Sequence, residues 1–301
     1  MNRPTLLLTG RNGQMGTVFA QQWQGSGLSG RYELVEARRR ELDIADPLEV
    51  QKYLADLRPT YILNTAAYTR VDEAESDQES AYSVNDKAVG VLADWCKGNS
   101  CRLLHISTDF VFDGDATLPY SVDSETGPLS VYGASKLAGE MQVTSRLPSS
   151  GIVVRTSWLY SEHGQNFVKT MLRLMSERCD VRVVCDQIGS PTSAHTLSKY
   201  IAQLIATDSA AGIYHFTDGG ELSWFEFAVA IREIGVELGL IPERATVTPV
   251  TAAEYPTAAR RPSYSVLERT PKEAPDRGAR RSWRVELRSV LERIKAGSYG
   301  P

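Results

Sequence analysis

The sequence predicts an α/β protein built on a doubly wound parallel sheet, with a smaller lobe formed by its C-terminal part. Three observations carry that expectation. Short apolar runs alternate with helix-like patterns through the first half, a glycine-rich turn follows the first run, and the alternation loosens after about residue 156.

Taken in order, TLLLT (5–9) reads as a strand and GQMGTVFAQQW (13–23) as the helix that follows it. YELVEA (32–37), DPLEVQKYLADL (46–57) and YILNTAA (61–67) continue as strand, helix, strand. A helix is expected over AYSVNDKAVGVLADWCK (81–97), a strand over RLLHIS (102–107), a helix opening at VYGASK (131–136) and a strand over GIVVRTS (151–157). These strands are short and apolar, as strands covered on both faces must be, so the sheet is expected to be parallel and sandwiched between helices. Residues 1–156 therefore read as a Rossmann-type dinucleotide-binding domain, and 157–301 as mainly a substrate-binding lobe. Within the latter come a helix at 166–178, a strand at 181–185, a helix at 195–206 and a strand at 212–216, and segments near 181–216 are expected to return to the main sheet. Beyond about 218, Pro242, Pro249, Pro256 and Pro262 punctuate an irregular stretch that ends in a basic helix, WRVELRSVLERIKA (283–296).

Composition narrows the function classes. With 42% hydrophobic and 23% charged residues in 301, the chain can bury a substantial core. Its 33 basic and 37 acidic residues leave a formal charge of -4 with no basic block to track a phosphate backbone, so no nucleic-acid partner is expected. The apolar run in MNRPTLLLTG is too short for a signal or a membrane span, and no membrane association is expected. Cys96, Cys101, Cys179 and Cys185 lack CxxC spacing and lie in or beside apolar segments. They read as buried thiols in a reducing compartment rather than disulfides or zinc ligands, which points to the cytoplasm.

The motifs that carry chemistry sit at strand ends. Gly10, Gly13 and Gly16 in TLLLTGRNGQMG span the first strand-to-helix junction, where bare backbone lets a pyrophosphate approach a helix N-terminus; a plain tight turn would use the same residues. After the second strand, Glu36 could bind the adenosine ribose, whereas Arg38, Arg39 and Arg40 could pair with a 2′-phosphate. The balance favours NADPH and leaves NADH open. Ala66 and Ala67 follow the third strand and leave room for a flat ligand, with Tyr68 and Thr69 beside it. Thr108 stands at the end of the fourth, where it can cap a turn or meet a substrate oxygen.

Tyr132 and Lys136 are four residues apart, about one helical turn, so their side chains can converge. An amphipathic helix would accommodate the same pair. Reduction of a carbonyl gives the pair a chemical reason, because charge develops on oxygen and needs a hydrogen-bond donor and a proton source. A tyrosine titrates near 10, and a neighbouring ammonium would lower that value.

Together TGRNGQMG, NTAAYTRVDEAE, STDFVFDG, YGASKLAGE, RTSWLY, DQIGSPT and ARRPSYSVL resemble the dTDP-4-dehydrorhamnose reductase family of the extended short-chain dehydrogenases/reductases, in order from Thr9 to about Leu267. The resemblance implies NAD(P)H-dependent reduction of the 4-keto group of a dTDP-linked 4-keto-6-deoxysugar, dTDP-4-dehydro-β-L-rhamnose, to dTDP-L-rhamnose. Tyr132 would donate the proton, Lys136 would tune it and hold the nicotinamide ribose, and Thr108 would bind the keto oxygen. Gly13, Gln14 and Met15 would meet the pyrophosphate, Asp43 and Ile44 the adenine side, and Ala67, Tyr68 and Thr69 the inner cofactor. Asp109 and Trp158 would contact the sugar nucleotide, although a tryptophan there could equally fill a core. The family also brings homodimers and, in some members, Mg²⁺ held by glutamates; no spacing here identifies such ligands. Phe110 departs from the tyrosine usual in the STDYVF stretch. An epimerase or reductase of another nucleotide-linked 4-keto sugar, and a non-catalytic NADP-binding regulatory subunit, are the competing expectations. A 4,6-dehydratase is disfavoured because Asp109 is followed by Phe110 in place of glutamate.

Overall fold

The computed structural model describes residues 3–268 and 281–298; the rest of the C-terminal segment lies outside the described residues. The first half runs β1 (Thr5–Thr9), α1 (Gln14–Gln22), β2 (Glu33–Ala37), α2 (Pro47–Leu57), β3 (Tyr61–Asn64), the short α3 (Val71–Ala74) and α4 (Gln78–Tyr82), α5 (Ala88–Gly98), β4 (Arg102–Thr108), α6 (Val131–Arg146) and β5 (Gly151–Thr156). The second half adds β6 (Leu159–Tyr160), α7 (Phe167–Glu177), β7 (Asp180–Val184), β8 (Ile188–Gly189), β9 (Thr192–Ser193), α8 (Ala194–Ala206) and β10 (Gly212–His215). It closes with β11 (Leu222–Ser223), α9 (Trp224–Glu237), β12 (Thr246–Val250) and α10 (Trp283–Ser298).

Six of these strands form one sheet in the order β10-β5-β4-β3-β1-β2, and every pairing is parallel. The order reverses at β1, which sits between β2 and β3, so the loops after β1 and β3 diverge and open a crevice at the carboxyl edge. Alternation along β1 explains why its apolar run is continuous. Leu6 and Leu8 pack with Phe19 of α1 and Ile201 of α8, whereas Leu7 packs on the other side with Leu54 of α2 and Leu92 of α5. Local signals set the helix starts: Asp46 accepts from Leu48 N and Glu49 N ahead of Pro47, and Ser130 accepts from Gly133 N at the head of α6.

Four elements differ from expectation. The stretch read as irregular beyond 218 contains α9, a 14-residue helix started by a capping box in which Ser223 Oγ accepts from Glu226 N and Glu226 accepts from Ser223 N. The helix expected at 81–97 is broken by a π-helical turn at Ser83–Lys87. That turn presents Asn85, which accepts from Tyr68 N at 2.9 Å and donates to Tyr68 O and Ser135 Oγ at 3.0 Å each, so its amide is committed to holding the loop after β3. The third strand ends at Asn64, and residues 65–67 leave the sheet to line the crevice. Among the segments near 181–216, α8 and β10 return to the main sheet, but β7 does not. It pairs with β12 in a two-stranded ribbon, because Val181 and Val183 face an apolar cluster with α9 while Asp180 and Arg182 are exposed, the pattern of a strand with one wet face. That second cluster, built by α7, β7, α9 and α10 around Phe227, Ile231 and Leu287, is separate from the two that cover the main sheet. Among the described residues no helix is long and apolar enough to cross a membrane.

Candidate active site

The glycine turn is shaped by close approach. Gly10 has φ +71°, and a Cβ there would lie 2.5 Å from Ala66 N; one on Gly16 would lie 2.4 Å from Gly10 O. Only bare backbone lets the loops after β1 and β3 pack this closely. They frame a cleft of about 710 Å³ at the carboxyl edge of the sheet. Gly10, Gly13, Gln14 and Met15 line one end, and Ala66, Ala67, Tyr68 and Thr69 the middle. Gln14 also ties α1 to the loop after β6, accepting from Ser161 Oγ at 3.0 Å and Asn166 Nδ2 at 2.9 Å.

The charged residues after β2 divide. Arg39, Asp43 and Ile44 line the cleft, and the Arg39 side chain is 82% exposed while paired with Asp43 at 3.2 Å. Arg38 does not line it; its guanidinium and its backbone N–H are both turned to Glu41. Glu36 is engaged by Arg11 of the glycine turn. The arginine cluster thus offers the cleft Arg39 and not Arg38, because a tight turn at 38–41 folds Arg38 back on itself.

Thr108, Tyr132 and Lys136 converge on the far part of the cleft. Phe110 N donates to Thr108 Oγ1 at 3.3 Å, which turns the chain out of β4, and the Thr108 hydroxyl faces the Tyr132 phenol. Burial pushes Tyr132 up to about 12, against the Thr108 hydroxyl, while the Asp109 charge acts in the same direction as burial. Lys136 is anchored beneath the phenol on β4. Its Nζ donates to Ile106 O at 2.6 Å and lies 3.1 Å from His105 Nε2, so the ammonium is anchored on β4. Burial pushes Lys136 down to about 8 and the Glu140 charge opposes that shift. His105, fully buried and beside Lys136, is held well below the ordinary histidine range by that burial first and by the ammonium second. Its Nδ1 meets Asn64 Nδ2 at 3.0 Å, and Asn64 Oδ1 accepts from Thr9 Oγ1 at 2.6 Å. A polar chain therefore links the base of the glycine turn to Lys136.

Asp109 departs from its expected place. It is 1% exposed, does not line the cleft, and lies behind Thr108 with Oδ1 3.0 Å from Thr108 Oγ1. Burial pushes it up to about 6, opposed by the hydroxyls of Ser265 and Thr108. The turn at Asp109–Val111 leaves its side chain buried behind Thr108. Trp158 does line the cleft. It has φ +46°, uncommon for a bulky residue, and its ring stacks on Trp224 at 3.4 Å and 9°. Gly189 makes room for it, since a Cβ there would come within 2.5 Å of the indole. Trp224 and Phe167 form the wall of a second cleft of about 720 Å³ that also carries Arg182, Gln187, Arg260 and Arg261. The stacked tryptophans separate the two clefts.

His105, Asn64 and Asn85 were missed by sequence reasoning. His105 was visible in HISTDF, but its position inside an apolar strand hid its contact with Lys136, and a buried polar residue is the signal that marks it in three dimensions. No cluster of three or more His, Cys, Asp or Glu that could hold a metal occurs among the described residues, so the Mg²⁺ implied by resemblance finds no support.

Comparison with known proteins bears on this geometry. The family model described as RmlD substrate binding domain matches residues 4–296. A dTDP-4-dehydrorhamnose reductase of Aggregatibacter actinomycetemcomitans is 40% identical over 270 residues, covering 88% of this chain and 90% of that protein. One from Sinorhizobium fredii is 41% identical over 268 residues, covering 87% and 88%. The crystal structure of the Bacillus anthracis dTDP-4-dehydrorhamnose reductase in complex with NADP superposes with a TM-score of 0.88 at 35% identity, covering 97% of this chain and 99% of that one.

Proposed function

The chain belongs to the dTDP-4-dehydrorhamnose reductase family, and from that premise we propose that it uses NADPH to reduce the 4-keto group of dTDP-4-dehydro-β-L-rhamnose to dTDP-L-rhamnose. The observation that carries this reading is the convergence of Thr108, Tyr132 and Lys136 on one cleft at the switch point of the sheet.

The cleft would suit a dinucleotide: the close packing of Gly10 on Ala66 and of Gly16 on Gly10 O draws the turn after β1 against the loop after β3, with Gly13, Gln14 and Met15 at the cleft beside the N-terminus of α1. Gly13, Gln14 and Met15 would flank the pyrophosphate, Asp43 and Ile44 the adenine side, Arg39 the 2′-phosphate, and Ala66, Ala67, Tyr68 and Thr69 the inner half. NADPH, when bound, supplies the hydride. As charge develops on the keto oxygen, the Tyr132 phenol gives it a proton and Thr108 gives it a hydrogen bond. A phenol pushed up to about 12 stays protonated throughout the neutral range and is ready to donate. Lys136, held by Ile106 O and beside His105, would reach the nicotinamide ribose with an N–H left over and would offset charge developing on the phenol. Trp158 would cover the sugar, and the second cleft, with Arg182, Arg260 and Arg261 around it, suits the nucleoside diphosphate. On this reading residues 1–156 bind cofactor and 157–301 mainly bind substrate. Cys96 and Cys101 are buried as expected, whereas Cys179 is exposed and Cys185 half-buried because they flank the β7 ribbon; an exposed free thiol suits a reducing, cytoplasmic setting.

Oxidation of NADPH and of NADH is followed with enzymatically prepared dTDP-4-dehydrorhamnose, and the product is identified by mass spectrometry. Formation of dTDP-rhamnose with NADPH preferred is expected. Cofactor binding without consumption would overturn the reading in favour of a binding subunit.

A further inference from the structure

The arginines that border the second cleft, Arg182, Arg260 and Arg261, are not alike. Arg182 and Arg260 are exposed and form no ion pair among the described residues. Arg261 is committed to the other side of the molecule. Its Nη1 donates to Asp72 Oδ1 at 3.1 Å and to Ala259 O at 3.2 Å, and its Nη2 donates to Asp72 Oδ2 at 2.7 Å. Asp72 Oδ1 also accepts from Ala259 N at 3.0 Å, and Thr257 Oγ1 donates to Ala259 O at 2.9 Å, so the buried Ala259 is gripped at its N–H and at its carbonyl. Beyond the pair, Pro262 packs on Gly114, where φ is +82° and a Cβ would lie 2.5 Å from the proline Cα. A fork-to-fork arginine–carboxylate pair fixes direction as well as distance. The segment around Arg261 is thus pinned to the loops after β3 and after β4.

We propose that Arg261 is a positioning residue: clasped by Asp72, it sets residues 257–263 as a wall of the second cleft and leaves Arg260 to meet the diphosphate of the substrate. This rests on the reductase reading above. Charge separates the two arginines. An anion approaching Arg261 meets the Asp72 carboxylate beside the guanidinium, and the N–H groups given to Asp72 and Ala259 are already spent within the fold. Arg260 carries no such partner among the described residues. The Arg261 guanidinium holds the Asp72 carboxyl below the usual carboxylate range, so the pair is ionised at neutral pH. Asp72 itself lines neither cleft. It stands in α3, just after Tyr68, Thr69 and Arg70, which line the first. One ion pair therefore ties the loop that would flank the inner half of the cofactor to the wall that would hold the nucleotide, and a residue remote from both ligands sets how tightly the second is held.

The test is the dissociation constant of thymidine diphosphate, measured by titration calorimetry with NADPH present, together with kcat and KM for the sugar nucleotide. Asp72→Asn is expected to weaken thymidine diphosphate about fivefold and Arg261→Lys about as much, with the double variant within about twofold of either, because each change opens the same clasp. KM should rise in step while kcat in Asp72→Asn changes by less than about twofold, and Arg260→Ala should weaken the diphosphate about tenfold by removing its direct contact. Tighter binding in Asp72→Asn overturns the proposal, since loss of the carboxylate would then have freed Arg261 to bind the diphosphate itself. Unchanged binding in Asp72→Asn overturns it too, since the wall would then stand without the clasp, and so do losses that multiply in the double variant. Should Asp72→Asn fail to fold, as lost NADPH affinity would reveal, Asp72→Ser also removes the charge and is read by the same signs. Absence of both thymidine diphosphate binding and turnover in wild type would instead refute the reductase reading, so the two failures are distinct.

Discussion

Lys136 Nζ and His105 Nε2 lie 3.1 Å apart inside the fold, so the ammonium one turn beyond Tyr132 is held by the strand beneath it and not by the phenol. The lysine is 2% exposed and pushed down to about 8. Its charge is therefore conditional on pH in a range where most lysines are always protonated.

A first prediction follows from that sign. The protonated form offsets phenolate charge, so kcat/KM should fall as pH rises through about 8. Lys136→Arg, which keeps its charge at any accessible pH, should abolish that fall while lowering the overall rate by about tenfold or more, since a planar fork does not fit a site built for a point charge. A pH–rate profile that still falls near 8 in Lys136→Arg would assign the transition to another group.

Tyr132→Phe should lose about 10²- to 10⁴-fold in kcat and leave the NADPH dissociation constant within about twofold. The ring is kept in place by Phe110, edge to face at 5.6 Å and 74°, so the substitution removes the proton and not the packing. Stopped-flow turnover and fluorescence titration separate the two effects.

Cofactor choice should follow Arg39 and not Arg38. Arg39→Ala is expected to weaken NADPH about tenfold while leaving NADH nearly unchanged, and Arg38→Ala to alter neither by more than about twofold. Arg11→Ala should release Glu36 and improve the NADH to NADPH ratio, because a freed carboxylate can take ribose hydroxyls and repels a phosphate. Dissociation constants for both cofactors in all three variants decide the matter; equal losses of NADPH and NADH in Arg39→Ala would sink it.

Gly139 and Gly98 both occupy helices, yet their alanine variants should differ in sign. A Cβ at Gly139 would lie 2.1 Å from Asn85 O, so Gly139→Ala must push α6 away from the π turn and should cost about 1–3 kcal/mol. Gly98 has nothing within 4 Å, and Gly98→Ala should stabilise by about 0.4–1 kcal/mol. Urea midpoints measure both, and a stabilised Gly139→Ala would contradict the close approach.

The architecture was legible where the signal is local. Leu6, Leu7 and Leu8 form a strand buried on both faces, and a run of three leucines says so directly. The glycines after it and the four-residue spacing of Tyr132 and Lys136 are likewise short-range patterns, set by the geometry of one turn. β7 was legible as a strand but not as a partner of β12, because pairing joins residues such as Val181 and Val247 that no local pattern connects.

By itself, then, the sequence determined the parallel sheet, the glycine turn after its first strand, and the trio of Thr108, Tyr132 and Lys136 at its edge. Only the tertiary structure decided how those groups are disposed: Lys136 toward Ile106 O, Asp109 behind Thr108 against Ser265, Arg39 in the cleft with Arg38 folded back, and Trp158 on Trp224. The physical reason is that periodicity encodes which face of an element is buried, whereas a hydrogen bond such as that between Gln14 and Asn166, 152 residues apart, exists only once the chain has packed. Charge behaves the same way. Tyr132 and Asp109 are shifted chiefly by burial, a property of the assembled fold and not of the residues beside them in the chain.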